Sequence, residues 1–140
     1  MYAEFDDSLV TGNKLIDGQH KELIDRINNL LVETENGSSK VDSVKMLDHL
    51  AEYTEYHFGE EEKLQEEIGY PGIKEHKAKH EELRRTVKEL YEMLEDQEGP
   101  TDAFVEQVNR QVVQWLYQHI KGFDRSVAEF KYMRDNSERI

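Results

Sequence analysis

Three glycine-bearing breaks divide this chain into four helical segments, and that division constrains its fold more than any other feature. The breaks are Asn36-Gly37-Ser38-Ser39, Gly69-Tyr70-Pro71-Gly72 and Glu98-Gly99-Pro100-Thr101. Each joins glycine to a capping or breaking residue. Between them, apolar residues recur at three- and four-residue steps, the period of an amphipathic helix. Helices are expected over about 17–36, 40–68, 72–97 and 101–122, with Asp17 as the N-cap of the first. A non-periodic arm, 1–16, precedes them. A tail, 125–140, should be helical through Val127, Phe130 and Met133 and then fray. Four stripes with short connections imply an all-α, antiparallel up-down-up-down bundle, one domain over 1–140.

The chain has 140 residues, enough for one proper core and few for two. Its net charge of −13 argues against nucleic acid and against an anionic membrane surface as partners. Most of the acid, in runs such as Glu60-Glu61-Glu62 and Glu66-Glu67, reads as solvated helix face. There is no cysteine, which excludes disulfides, thiolate metal sites and thiol nucleophiles. The first residues, Met-Tyr-Ala-Glu-Phe-Asp-Asp, lack a basic stretch followed by an apolar run, so no signal peptide is expected. No segment approaches a membrane span. A cytoplasmic protein is expected.

The stripes are not purely apolar. The first reads His20, Leu23, Ile24, Ile27, Leu30, Leu31, and the second contains Leu47, Leu50, Thr54, His57, Phe58 and Glu61. The third reads Ile73, His76, His80, Leu83, Val87, Leu90, Leu94, and the fourth Phe104, Val105, Val108, Val112, Trp115, Leu116, His119. Five of six histidines are therefore in phase with core residues. His49 is the control: it falls out of phase and should be solvated. A lone core histidine is more often hydrogen-bonded structure than ligand. Five at one level are harder to explain that way, because buried polar groups need partners.

Their heights agree. In an antiparallel bundle the start of the first helix lies beside the end of the second, the start of the third and the end of the fourth. His20, His57 with Glu61, His76 with His80, and His119 thus gather at one extremity. Residues four apart on a helix differ by about 40° and share a face, so His57/Glu61 and His76/His80 can each grip one centre. His119 and Asp124 are five apart, about 140° on an ideal α-helix. Gly122 between them could let the helix loosen or end. Asp124 remains the best acidic candidate there, because residues 107–123 contain no Asp or Glu.

Five imidazoles and two carboxylates exceed the needs of one ion, so two metal ions are implied. Structural zinc is satisfied by four ligands and favours cysteine. Calcium and magnesium favour oxygen. Mixed nitrogen and oxygen donors with open positions suit iron. If Glu61 and Asp124 both bridge, with one water-derived oxygen, an ion with three histidines is six-coordinate. An ion with two histidines keeps one vacancy, enough for a small diatomic ligand.

Ile16-Asp17-x-x-His20, His57-Phe58-x-x-Glu61-Glu62, Tyr70-Pro71 leading to His76-x-x-x-His80, and Trp115-Leu116-x-x-His119-Ile120-x-x-x-Asp124 closely resemble the hemerythrins. The resemblance spans about residues 12–128, and its bacterial single-domain members are most similar; these commonly place tryptophan where Phe5 stands. It implies two non-haem iron ions, oxo- or hydroxo-bridged. His76, His80 and His119 would hold the closed ion, His20 and His57 the open one, with Glu61 and Asp124 bridging. It also implies an apolar oxygen pocket of Leu23, Phe58, Trp115, Leu116 and Ile120.

Reversible dioxygen binding, for carriage, storage or delivery, is the resulting expectation, with no enzymatic role beyond weak oxidase or peroxidase activity. Oxygen-activating di-iron bundles carry Glu-x-x-His pairs, and no histidine here has Glu three residues before it. The alternatives are an oxygen or redox sensor, with a signalling partner, or a scavenging enzyme acting with a reductant on oxygen, peroxide or nitric oxide.

Overall fold

The computed structural model describes residues 2–37, 39–96 and 99–136. The expected helical positions at Gln97 and 137–140, and break residues Ser38 and Glu98, lie outside them. The described residues form four long helices and no strand. Helix α1 is Lys14–Glu35, α2 is Lys40–Ile68 and α3 is Ile73–Asp96. Helix α4 runs through five consecutive segments: Asp102–Gln107, π-helical Val108–Val113, Gln114–His119, π-helical Ile120–Asp124, and Arg125–Asp135.

Capping chemistry sets the starts. Ser39 and Thr101 accept from the backbone N–H of Asp42 and Phe104. The first helix corrects the expectation at Asp17. Its N-cap is Asn13, which accepts from Ile16 N–H at 3.1 Å. Asp17 lies inside the first turn and reaches back, accepting from the Thr11 N–H and hydroxyl and the Gly12 N–H. Helix α2 stops at Gly69, whose φ of 67° suits a residue without a Cβ.

The fourth helix corrects a second expectation. It does not stop at Gly122 ahead of a separate tail; Ile120 and Arg125 both keep right-handed helical dihedrals. Gly122 is not required there either, since a Cβ would meet nothing within 4 Å. The helix loosens into a π-turn and continues. Val127 and Ala128 are buried in the extension, and Phe130 meets the edge of Tyr70, while Met133 is 60% exposed rather than packed.

Cross-helix contacts fix the relative directions of neighbours. Gln19 meets His57 and Arg26 meets the His49 carbonyl, so α1 and α2 run oppositely. Glu62 meets His80 and Lys40 meets the Glu95 carbonyl, which gives α2 and α3 the same relation. His76 meets His119 and Gln107 donates to Glu89, which reverses α4 against α3. The arm is tied along the bundle by a paired bond between Ala3 and Asn28 and by Glu4 N–H donating to Tyr117. Phe5 is half-buried against the core.

One half of the bundle is apolar: Leu30 and Leu31, Leu47 and Leu50, Leu90 and Leu94, Phe104 and Val108 are all essentially buried. Each large side chain buried there contributes roughly 1.5–3 kcal/mol.

Candidate metal centre

Among the described residues, the opposite half holds seven buried titratable side chains. His20, His57, Glu61, His76, His80, His119 and Asp124 are each at most 4% exposed. Helix α1 supplies His20 from its second turn, α2 supplies His57 and Glu61 one turn apart, and α3 supplies His76 and His80 likewise. His49, the control, is exposed.

His119 and Asp124 come from α4, and the π-turn between them explains how. A π-helix closes i to i+5, so a five-residue step returns to the same face. His119 Nε2 lies 3.1 Å from Asp124 Oδ1. The awkward α-helical spacing is thereby resolved by backbone geometry.

The two carboxylates divide their oxygens in the same way. Glu61 Oε1 lies 2.5 Å from His76 Nε2 and 3.5 Å from His80 Nε2, while Oε2 lies 3.1 Å from His57 Nε2. Asp124 Oδ1 lies 2.9 Å from His76 Nε2 and close to His119, while Oδ2 lies 2.7 Å from His20 Nε2. Two donor groups result: Glu61, His76, His80, His119 and Asp124 form one, and His20, His57, Glu61 and Asp124 the other. They share both carboxylates and no histidine.

The set fits cations better than internal hydrogen bonding. Glu61 Oε2, both Asp124 oxygens, His20 Nε2 and His80 Nε2 are buried without an aligned hydrogen bond, despite short approaches. His76 and His119 bring their Nε2 atoms within 2.9 Å of each other. Buried polar atoms left this way cost free energy. Neutral imidazole and carboxylate are metal donors.

Without metal, protons take the cation's place. Burial disfavours a charged His76, but the close Asp124 and Glu61 carboxylates outweigh burial and raise its pKa to about 9. His57 is also raised, burial being outweighed by Glu61. His119 is lowered, because burial there exceeds the pull of Asp124. Burial and Asp124 both push Glu61 up, yet its three histidine partners hold it down at about 2. Asp124 is held well below its ordinary value in the same way: burial is outweighed by His119, His20 and His76.

Three imidazoles are oriented from behind. His57 Nδ1 donates to Gln19 Oε1 at 2.6 Å, and His80 Nδ1 donates to Glu62 Oε2 at 2.8 Å. Gln65 Nε2 lies 3.0 Å from His76 Nδ1, with Gln65 Oε1 unpartnered. As placed, that amide nitrogen also donates to Glu61 Oε1 at 3.4 Å; turning the amide over lets Nδ1–H donate to the oxygen at the cost of that bond. These partners were not read from the sequence. Gln65 carried a signal, lying four residues after Glu61 on the same stripe. Glu62 was hidden in an acidic run read as solvated.

Of the expected pocket residues, Leu23, Phe58, Leu116 and Ile120 are buried and Trp115 is half-buried. Phe58 stacks on His80, with ring centroids 3.8 Å apart and planes 5° apart. Trp115 stacks on His119 at 4.4 Å and 12°.

A helical bundle with shared carboxylates between two histidine groups defines a class of metal-binding helical protein. Comparison gives the family: residues 11–129 match the hemerythrin HHE cation binding domain, and the chain belongs to the hemerythrin family. Similar relatives include a bacteriohemerythrin of Stenotrophomonas maltophilia, 32% identical over 123 residues, covering 88% of this chain and 77% of the relative. A bacteriohemerythrin of Pseudomonas paraeruginosa is 33% identical with the same coverage. One from Aquifex aeolicus is 30% identical over 118 residues, covering 84% of this chain and 88% of the relative. No helix among the described residues is long and apolar enough to cross a membrane.

Proposed function

We propose that this chain binds dioxygen reversibly at a non-haem di-iron centre. The observation that carries the reading is the division of the Glu61 and Asp124 oxygens between a three-histidine and a two-histidine group. His76, His80 and His119 would hold one ion and His20 and His57 the other, with both carboxylates spanning them. The second group offers one protein donor fewer, which leaves room for a small ligand. A ferrous pair, when bound, supplies the electrons that dioxygen takes up and gives back. Mixed nitrogen and oxygen donors without thiolate favour iron.

The remaining work falls to the chain. Gln19 and Glu62 fix ring orientation and tautomer, and Gln65 orients His76, so that each Nε2 faces the centre. Phe58, Leu23, Leu116 and Ile120 keep water away, which limits loss of bound oxygen as reduced by-products and favours its release intact. Carriage or storage is therefore favoured over turnover.

The test is optical. The iron-loaded protein is reduced without air, exposed to oxygen and then degassed. Return of the starting spectrum over repeated cycles supports the reading. Sustained oxygen consumption with a reductant, and no recoverable oxygenated form, replaces it with a scavenging enzyme.

A further inference from the structure

We propose that Glu62 and Arg84 act as opposed charges on His80, tuning how tightly the three-histidine group holds its ion and which redox state it favours. The redox half of this rests on the iron reading above; the affinity half does not. Three of the five imidazoles have a partner at Nδ1, and they are not equivalent. His57 and His76 face the neutral amides of Gln19 and Gln65, whereas His80 faces a carboxylate. Among the described residues, the Nδ1 atoms of His20 and His119 have no hydrogen-bond partner. An anionic acceptor draws the Nδ1 proton and makes Nε2 a stronger donor to metal. Among the described residues, His80 is thus the one imidazole of the centre given a charged partner at Nδ1.

Arg84 sits against this arrangement with the opposite charge. One guanidinium nitrogen is 3.7 Å from Glu62 Oε2. Its Nε donates to Glu55 at 2.8 Å, and Nη1 pairs with Glu81. Its cation also lies 5.2 Å from the centre of the Phe58 ring, the ring stacked on His80. Arg84 is therefore shared among three carboxylates rather than paired with Glu62 alone. The Glu62 and Arg84 side chains are 20% and 28% exposed, so substitution there does not open the core.

Opposed charges predict opposite signs, which a merely structural role does not. Glu62→Gln keeps an oxygen to accept from Nδ1 and deletes the charge. It should weaken cobalt(II) retention against a competing chelator by about 10–100-fold. In the iron-loaded protein it should move the ferrous–ferric balance, read against redox dyes, severalfold toward ferrous. Arg84→Met should tighten cobalt retention and move the iron balance toward ferric. Equal-direction shifts in the two variants, or no shift in either, would overturn the proposal. Cobalt binding with opposite shifts but no iron uptake would sustain it and count against the di-iron reading alone.

Discussion

His119 and Asp124 stand five residues apart yet bring Nε2 and Oδ1 to 3.1 Å, because the intervening Ile120–Asp124 turn is π-helical. One extra residue in that turn carries Asp124 to the face where His20 and His76 wait. The centre thus depends on a local departure from α-helical geometry as much as on its donors.

Two changes at Gly122 separate the turn from the glycine. Gly122→Ala should leave metal uptake intact, since the new Cβ meets nothing within 4 Å. It should also stabilise the protein by roughly 0.4–1 kcal/mol through the unfolded chain. Inserting one alanine after Gly122 should carry Asp124 about 100° further round the helix, off the shared face, and abolish uptake of a second ion. Metal analysis and thermal melts of both variants check this; full uptake after the insertion would contradict it.

The metal-free centre predicts a pH signature. His76, raised from 6.5 to about 9, contributes stability that is present below 6.5 and lost as pH rises through about 9. Glu61, lowered from 4.5 to about 2, contributes stability that is present above 4.5 and lost as pH falls toward 2. The metal-free protein should therefore be most resistant to urea between these windows, near pH 5–6, and weaken toward pH 9. Metal must displace the proton on His76, so loading at pH 7 should release at least one proton, and affinity should rise with pH. A pH indicator in weak buffer reads the release; loading with none would contradict the account.

The apolar cover has its own test. Leu116 is 3% exposed, and Leu116→Ala should cost about 2–5 kcal/mol and open space beside the centre. Water entry should then speed autoxidation of the oxygenated form severalfold. An unchanged rate in a folded variant would remove the protective role assigned to this side chain.

Much of this was legible before the structure. The four stripes place leucine and histidine in the same phase, and that periodicity gave both the bundle and the buried five. The unread parts have physical causes. Asp124 could be chosen by scarcity of acid but not placed, because α-helical arithmetic puts it on another face. Asp17 looked like a cap, but Asn13 caps the helix four residues earlier and leaves Asp17 to bind the preceding loop. Glu62 and Gln19 lie off the apolar stripes, so phase alone gives no reason to turn them inward. Only the approach of a neighbouring helix does that.

The central claim is that two ions share Glu61 and Asp124, and anaerobic metal uptake tests it most directly. The intact chain should take up two equivalents of ferrous iron, and His57→Ala, which spares the three-histidine group, should take up about one. Uptake of one equivalent or fewer by the intact chain, or two by His57→Ala, would contradict the account.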